Sequence, residues 1–330
     1  MTALWPLRPQ PLPGEALSSW LDRLAATYGY ERNDLQHELG PDAARPTIDV
    51  SIADEFAHAL SQRTGVTTEQ IKGMTLEGWV PRLISSADET KDEYEGYAHS
   101  YSVLLPHGRM RTTVRPSGPW RPWISPRGIA HCRACPVCLD EDAIGYSRLH
   151  WQLSWLTSCP KHEQLLRPMI ISQRLGVVEM TSSRSVVIPY HIVALDVMTM
   201  QALQKGYVDT VSVRIHAGLW LRLLRTLLEE LATPGFVSGR VRKLVHRVWV
   251  ATKLKARRRS LATLPFEHLD DARRFKLMHA AGMAVGMLGS GSLEGFGRDA
   301  HILQPHSYPP ADPHNRRWLL WNDPVPTALC

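Results

Sequence analysis

The sequence predicts a mainly α protein of several domains with a small cysteine-rich module at its centre. Three observations carry that expectation: apolar residues recur at helical spacing towards both ends, four of the five cysteines fall between 132 and 159, and charge is divided unevenly along the chain. With 330 residues, 44% of them apolar and 21% charged, there is apolar surface for two or three cores, which excludes wholesale disorder. No run of about 18 apolar residues occurs, and residues 1–14 carry no basic-then-apolar leader. Neither a membrane span nor secretion is expected, and a cytoplasmic protein is the default.

The net charge of +6 hides a division. Residues 1–95 hold 8 Lys+Arg against 16 Asp+Glu, net −8, and the remaining 235 hold 30 against 16, net +14. An acidic front on a basic body implies two kinds of partner, and only the body has the charge that nucleic acid requires.

The acidic segment is expected to be a helix-turn-helix domain over residues 1–95. A proline-rich lead from Arg8 runs into a helix in which Leu17, Trp20, Leu21, Leu24 and Tyr28 form one apolar stripe, ending before Gly29. A second helix places Ile52, Phe56 and Leu60 on one face, breaks at Thr64-Gly65-Val66 and is followed by a short helix from Thr67 to about Met74, with capping-box spacing between Thr67 and Gln70. For base readout this short helix offers only Gln70 and Lys72 in acidic surroundings, so a structural or protein-docking pair is favoured over DNA reading. Ser85 to Glu95 reads as a solvated connection.

A zinc-binding module is expected over 96–175. It opens with a proline-interrupted stretch, His107 to Arg133, carrying six Arg and no acid. Then come Cys135-Pro-Val-Cys138, 20 residues, and Cys159-Pro-Lys-His162. Each pair can present two ligands from one tight turn, and three soft thiolates with one imidazole suit a closed, tetrahedral, structural Zn²⁺. Cys132 is placed outside the shell, because Pro136 after Cys135 mirrors Pro160 after Cys159, and Cys330 reads as a separate thiol. Between the pairs, Leu149, Leu153 and Leu156 are expected to pack near the metal.

A basic helical domain is expected over 176–300. Residues 176–215 are ambiguous between strand and loop, His216 to Leu231 is helical, and a helix from about Ser238 to Arg259 turns Val241, Leu244, Val245 and Val248 inward. Its other face gathers Arg240, Arg242, Lys243, Arg247, Lys253, Lys255, Arg257, Arg258 and Arg259, nine cations without an acid. Solvated faces usually mix signs, so anion binding stands level with or above a merely solvated face for these nine. Phe266 to Leu288 is a further helix, with Phe275, Met278, Met283 and Met287 read as core. Gly289 to Gly297 lacks the ending of a phosphate-cradling loop and reads as a flexible connector, and 301–330 as a proline-rich extended tail.

Leu12-Pro-Gly-Glu-Ala-Leu-Ser-Ser-Trp-Leu-Asp-Arg-Leu24, the Thr-Gly-Val turn with Met74-Thr-Leu76, Cys135-Pro-Val-Cys-Leu-Asp-Glu-Asp142, Arg148-Leu-His-Trp151 and Cys159-Pro-Lys-His-Glu-Gln-Leu-Leu166 stand in an order that resembles the TniQ family of transposition proteins, densely over about residues 8–170. The resemblance implies a non-catalytic adaptor of Tn7-like or mercury-resistance-type transposons. Such an adaptor links target DNA, or a target-bound complex such as a CRISPR RNA-guided one, to an AAA+ ATPase that recruits the transposase. It implies Cys135, Cys138, Cys159 and His162 as the zinc ligands. The chain lacks the long C-terminal extension of relatives that read an attachment site, which implies an adaptor working with other subunits. Whether the chain forms a homodimer stays open.

Enzyme readings lack parts. A zinc deaminase needs His-x-Glu and a Pro before Cys135, and neither is present. An HNH-type nuclease would have only Asp312-Pro-His-Asn-Arg316 beside the cysteines. The alternative class is a stand-alone zinc-containing helix-turn-helix transcriptional regulator, which would bind an operator unaided.

Overall fold

The structure, a computed structural model, describes residues 4–44, 48–79, 102–106, 132–172, 176–179, 188–232, 240–254 and 266–305. In chain order the helices are α1 (Leu17–Thr27), α2 (Gln36–Leu39), α3 (Asp54–Thr64), α4 (Thr68–Gly73), α5 (Pro136–Glu141), α6 (Tyr190–Lys205), α7 (Ala217–Ala232), α8 (Arg240–Ala251), α9 (Asp271–Gly289) and α10 (Ala300–Leu303). The strands are β1 (Cys132–Ala134), β2 (Ser158–Cys159), β3 (Gln164–Leu165), β4 (Arg167–Ser172), β5 (Gly176–Glu179), β6 (Tyr207–Asp209) and β7 (Arg214–His216). The protein is mainly helical, as expected.

The described residues within Met1–Pro81, Trp120–Leu156 and Gln164–Val186 form one unit, so the N-terminal helices and the Cys135 segment share it. Those within Arg82–Pro119, Thr157–Glu163 and Val187–Cys330 form a second.

In the first unit α1 buries Leu17, Trp20, Leu21 and Leu24 of its predicted stripe at 0% exposure against Ile48, Phe56, Leu60 and Ile71, while Tyr28, the last of the stripe, is the half-buried C-cap whose hydroxyl donates to Leu7 O. Nothing local caps α1: its N-cap is Ala16, and the orphan Ser18 N–H donates instead to Asp49 at 2.7 Å. Asp49 also accepts from Ser18 Oγ at 2.6 Å and Gln152 Nε2 at 2.8 Å, while 1% exposed. Glu15, equally buried, takes Arg23 Nε at 2.8 Å and Nη2 at 2.7 Å, Ser19 Oγ at 3.1 Å and the Leu12 N–H at 2.9 Å.

The next two helices follow their local signals. Gly65 ends α3 in the left-handed conformation at φ 76°, its N–H on Ser61 O at 2.8 Å. Thr67 then opens α4 with both halves of the capping box, Gln70 N–H to Thr67 Oγ1 and Thr67 N–H to Gln70 Oε1, each 3.2 Å. Further along, β1, β4 and β5 make an antiparallel sheet in that order, Cys132 opposite Met169 and Ile170 opposite Val178.

In the second unit α6, α7 and α9 pack together beside the β6–β7 hairpin. The described parts of the region 176–215, ambiguous in sequence, are β5, a full helix and this hairpin; 180–187 lie outside the described residues. The helix was hidden because two polar residues, Asp196 at 0% and Thr199 at 1% exposure, lie on its buried face and break the apolar period. α7 is as expected, but its core side includes Arg225, paired with Glu229 at 3.1 Å and with Glu267, and Glu230, which accepts Val103 N–H at 3.0 Å and Leu104 N–H at 2.6 Å.

Three expectations are corrected. α8 stops at Ala251 rather than Arg259, because Thr252 Oγ1 donates to Trp249 O at 2.7 Å, accepts the Leu254 N–H at 3.2 Å, and Lys253 turns left-handed at φ 58°. The glycine-rich stretch is no flexible connector: Gly297 N–H donates to Val103 O at 3.0 Å, and a Cβ there would lie 1.9 Å from Ser102 O. The tail is not extended from 301, since α10 occupies 300–303 with Ile302 and Leu303 buried. Ser85–Glu95, His107 to 131, Ser238, 255–259 and 306–330 lie outside the described residues.

Replacing Asp49 by Ala is expected to lower the unfolding free energy of the first unit by about 3 kcal/mol, because it strands a helix N–H, a hydroxyl and an amide together. Urea denaturation followed by tryptophan fluorescence measures this; an unchanged midpoint would refute the capping role.

Candidate metal centre

The first ligand pair is set by a helix start. Cys135 is the N-cap of α5, Pro136 occupies the first helical position where its missing N–H costs nothing, and Cys138 lies one turn on. The Leu139 N–H donates to Cys135 O at 3.2 Å and the Asp142 N–H to Cys138 O at 3.1 Å, so both cysteine carbonyls are held. Arg133, just before the pair, donates to Leu156 O at 2.8 Å and to Leu153 O.

The second pair is set by a tight turn. The Glu163 N–H closes on Cys159 O at 2.8 Å, with Glu163 left-handed at φ 51°, which brings His162 Nδ1 to 3.8 Å from Cys159 Sγ. The approach to Cys159 is fixed by Asp196 of α6, whose Oδ2 accepts the Thr157 N–H at 3.1 Å, the Ser158 N–H at 2.7 Å and Ser158 Oγ at 2.6 Å.

Cys135, Cys138, Cys159 and His162 come together: one donor atom from each lies within 4.8 Å of all the others, the cysteines buried and the histidine half-buried. None of the three cysteines is disulfide-bonded. Donors about 2.0–2.3 Å from a tetrahedral ion lie roughly 3.4–3.8 Å apart, so this group could hold a metal ion with little movement. Leu149, Leu153 and Leu156, expected to pack near the metal, are buried at 0–1% exposure. The backbone of Cys132 lies on β1; its side chain, and all of Cys330, lie outside the described residues.

Arg148, quoted in the sequence motif without a role, has a defined place. Its guanidinium carbon lies 4.4 Å from the Tyr146 ring centroid and 4.7 Å from that of Trp151, and Nη2 donates to Asp142 Oδ1 at 2.9 Å. Asp196 and Asp49 were missed altogether; for Asp196 the available signal was a lone acid inside an otherwise apolar run.

Of the nine basic candidates, Lys243 and Arg247 are exposed on α8 opposite buried Leu244 and Val248, and Lys253 is exposed just beyond. Arg247 donates to Ser292 O at 2.9 Å. Arg240 and Arg242 lie on α8, but their side chains, like all of Lys255, Arg257, Arg258 and Arg259, lie outside the described residues. In the acidic domain both base-reading candidates are engaged internally, Gln70 in the capping box and Lys72 with Asp54. The hydrogen bond to Asp54 holds the Lys72 ammonium above its ordinary pKa. Among the described residues no helix is long and apolar enough to cross a membrane.

No curated protein and no solved structure matches the chain. The model of one family, TniQ, matches residues 6–166, just under half of the chain. That stretch takes in the Pro-Gly-Glu lead, α1 to α4 and all four clustered donors. Residues 6–166 thus match the family of transposition proteins that the motifs resemble, and that stretch reads as a TniQ domain.

Proposed function

We propose that this transposition-associated protein is a non-catalytic adaptor that connects target DNA, or a target-bound complex, to an AAA+ ATPase of the transposition machinery. The observation that carries the reading is the TniQ match over residues 6–166, which includes the Cys₃His group. Cys135, Cys138, Cys159 and His162 are assigned as ligands of one structural Zn²⁺. With four protein donors no coordination position is left for water, and a catalytic zinc needs one.

The division of charge assigns the partners. The α3–α4 pair has spent Gln70 and Lys72 on internal bonds and exposes Asp54, Glu55 and Glu69, an acidic surface suited to protein rather than phosphate. DNA phosphates fall to the basic residues of α8 and its continuation, Arg240, Arg242, Lys243, Arg247, Lys253, Lys255, Arg257, Arg258 and Arg259.

Purified protein is expected to carry about one zinc per chain, and Cys138→Ser to lose it together with the cooperative melt, since zinc contributes on the order of 10 kcal/mol in small modules. Metal analysis and thermal denaturation read both, and protein purified without zinc sinks the metal assignment. The cognate ATPase should be retained by this chain in a pull-down. No retention, combined with tight binding to one short DNA, favours a transcriptional regulator. Replacing Arg257, Arg258 and Arg259 by Ala should reduce the slope of log affinity against log salt by about three. An unchanged slope returns these residues to a solvated face.

A further inference from the structure

We propose that Arg148 is a positioning residue of the metal centre: stacked between Tyr146 and Trp151 and paired with Asp142, it fixes the turn that carries Cys138. The inference rests on the assignment of Cys138 as a metal ligand.

The geometry runs in one short circuit. Arg148 Nη2 donates to Asp142 Oδ1 at 2.9 Å, and the Asp142 backbone N–H donates to Cys138 O at 3.1 Å, closing α5 on the ligand's own carbonyl. The guanidinium cannot swing away, because aromatic rings flank it at 4.4 Å and 4.7 Å and its side chain is only 15% exposed. Those rings are fixed too: Trp151 is 1% exposed, and Tyr146 donates its hydroxyl to Pro13 O at 3.2 Å. The backbone on either side is held by a bridge between Glu15 and Arg148 and by the Leu149 N–H on Gly14 O at 2.9 Å. The Pro-Gly-Glu lead thereby sets where Arg148 stands.

Nη1 of Arg148 is buried with no hydrogen-bond partner among the described residues, so an N–H donor remains to spare. Three thiolates around a divalent ion leave the centre one negative charge, in a site where water is excluded from the cysteines. A rigid, planar guanidinium holds the Asp142 end of α5, and with it Cys138, in one place, whereas a mobile lysine at the surface would not.

The test uses the full-length protein loaded with zinc or with cobalt, comparing wild type with Arg148→Gln, Arg148→Lys and Asp142→Asn. Competition with a chromophoric chelator should show zinc affinity lowered roughly 10–100-fold in Arg148→Gln and less in Arg148→Lys, which restores charge but not the fork. The thiolate-to-cobalt charge-transfer band should shift in Arg148→Gln, a readout that loss of packing elsewhere would not move. Should Arg148→Gln fail to fold, Arg148→Lys and Asp142→Asn decide: weaker zinc binding in both supports the role, and wild-type affinity in both overturns it. Wild type that binds zinc while folded Arg148→Gln keeps its affinity and cobalt spectrum refutes this inference alone. Wild type that binds neither metal removes the metal assignment as well.

Discussion

A carboxylate almost wholly out of water must find cations and donors, and Glu15 imposes that demand on the first unit. It is 1% exposed, and its oxygens take Arg23, Ser19 and the Leu12 N–H. Removing one partner from such a pair costs about 3–5 kcal/mol, so the proline-rich lead is not free to leave α1. Ser19 passes the constraint onward, accepting the Ser147 N–H at 3.0 Å, and Ala16 donates to Ser147 O at 2.9 Å. The segment that continues into Arg148 and Trp151 is thus seated on the start of the first helix, some 130 residues earlier in the chain.

Asp49 repeats the device from a third stretch of sequence. It caps α1 from 31 residues away and holds Gln152 across 103, while its own carbonyl accepts the Leu76 N–H at 2.9 Å. The second unit obeys the same rule with other residues: Asp196 gathers the strand before Cys159, and Glu230 gathers the Val103–Leu104 backbone. Buried acids in this protein fasten irregular backbone to helices. Each satisfies donors that a sheet ladder would otherwise have to meet, and short strands and turns can then be held without long sheets.

What could be read in the sequence is what depends on neighbours close in the chain. The stripe of α1, the Gly65 stop, the Thr67–Gln70 box and the two ligand pairs all involve residues within a few positions of one another, and each formed where expected. That the pairs would meet across 20 residues was legible only from donor chemistry. The remainder is long-range. Asp196 and Thr199 make α6 look irregular because their partners, Ser158 and Trp220, are distant, with Trp220 Nε1 on Thr199 Oγ1 at 3.2 Å. Gly295 and Gly297 read as flexible because sequence does not reveal that the Ser102–Val103 backbone lies against them.

The same distinction bears on function. A helix pair joined by a glycine turn is a pattern shared by DNA readers and protein-docking modules, and spacing does not separate them. The side chains do. A reading helix must hold its polar groups out for base edges, yet Gln70 caps its own helix and Lys72 is bound to Asp54. To reach DNA, Lys72 would have to abandon its carboxylate partner beside a polyanion, and the exposed Asp54, Glu55 and Glu69 would oppose the approach. On α8 the geometry is reversed: Leu244 and Val248 anchor the helix while Lys243 and Arg247 face outward with no acid on the same stretch. The sign of the exposed charge, set by which residues the core has already engaged, therefore supports the proposed division, protein for the front of the chain and phosphate for its body.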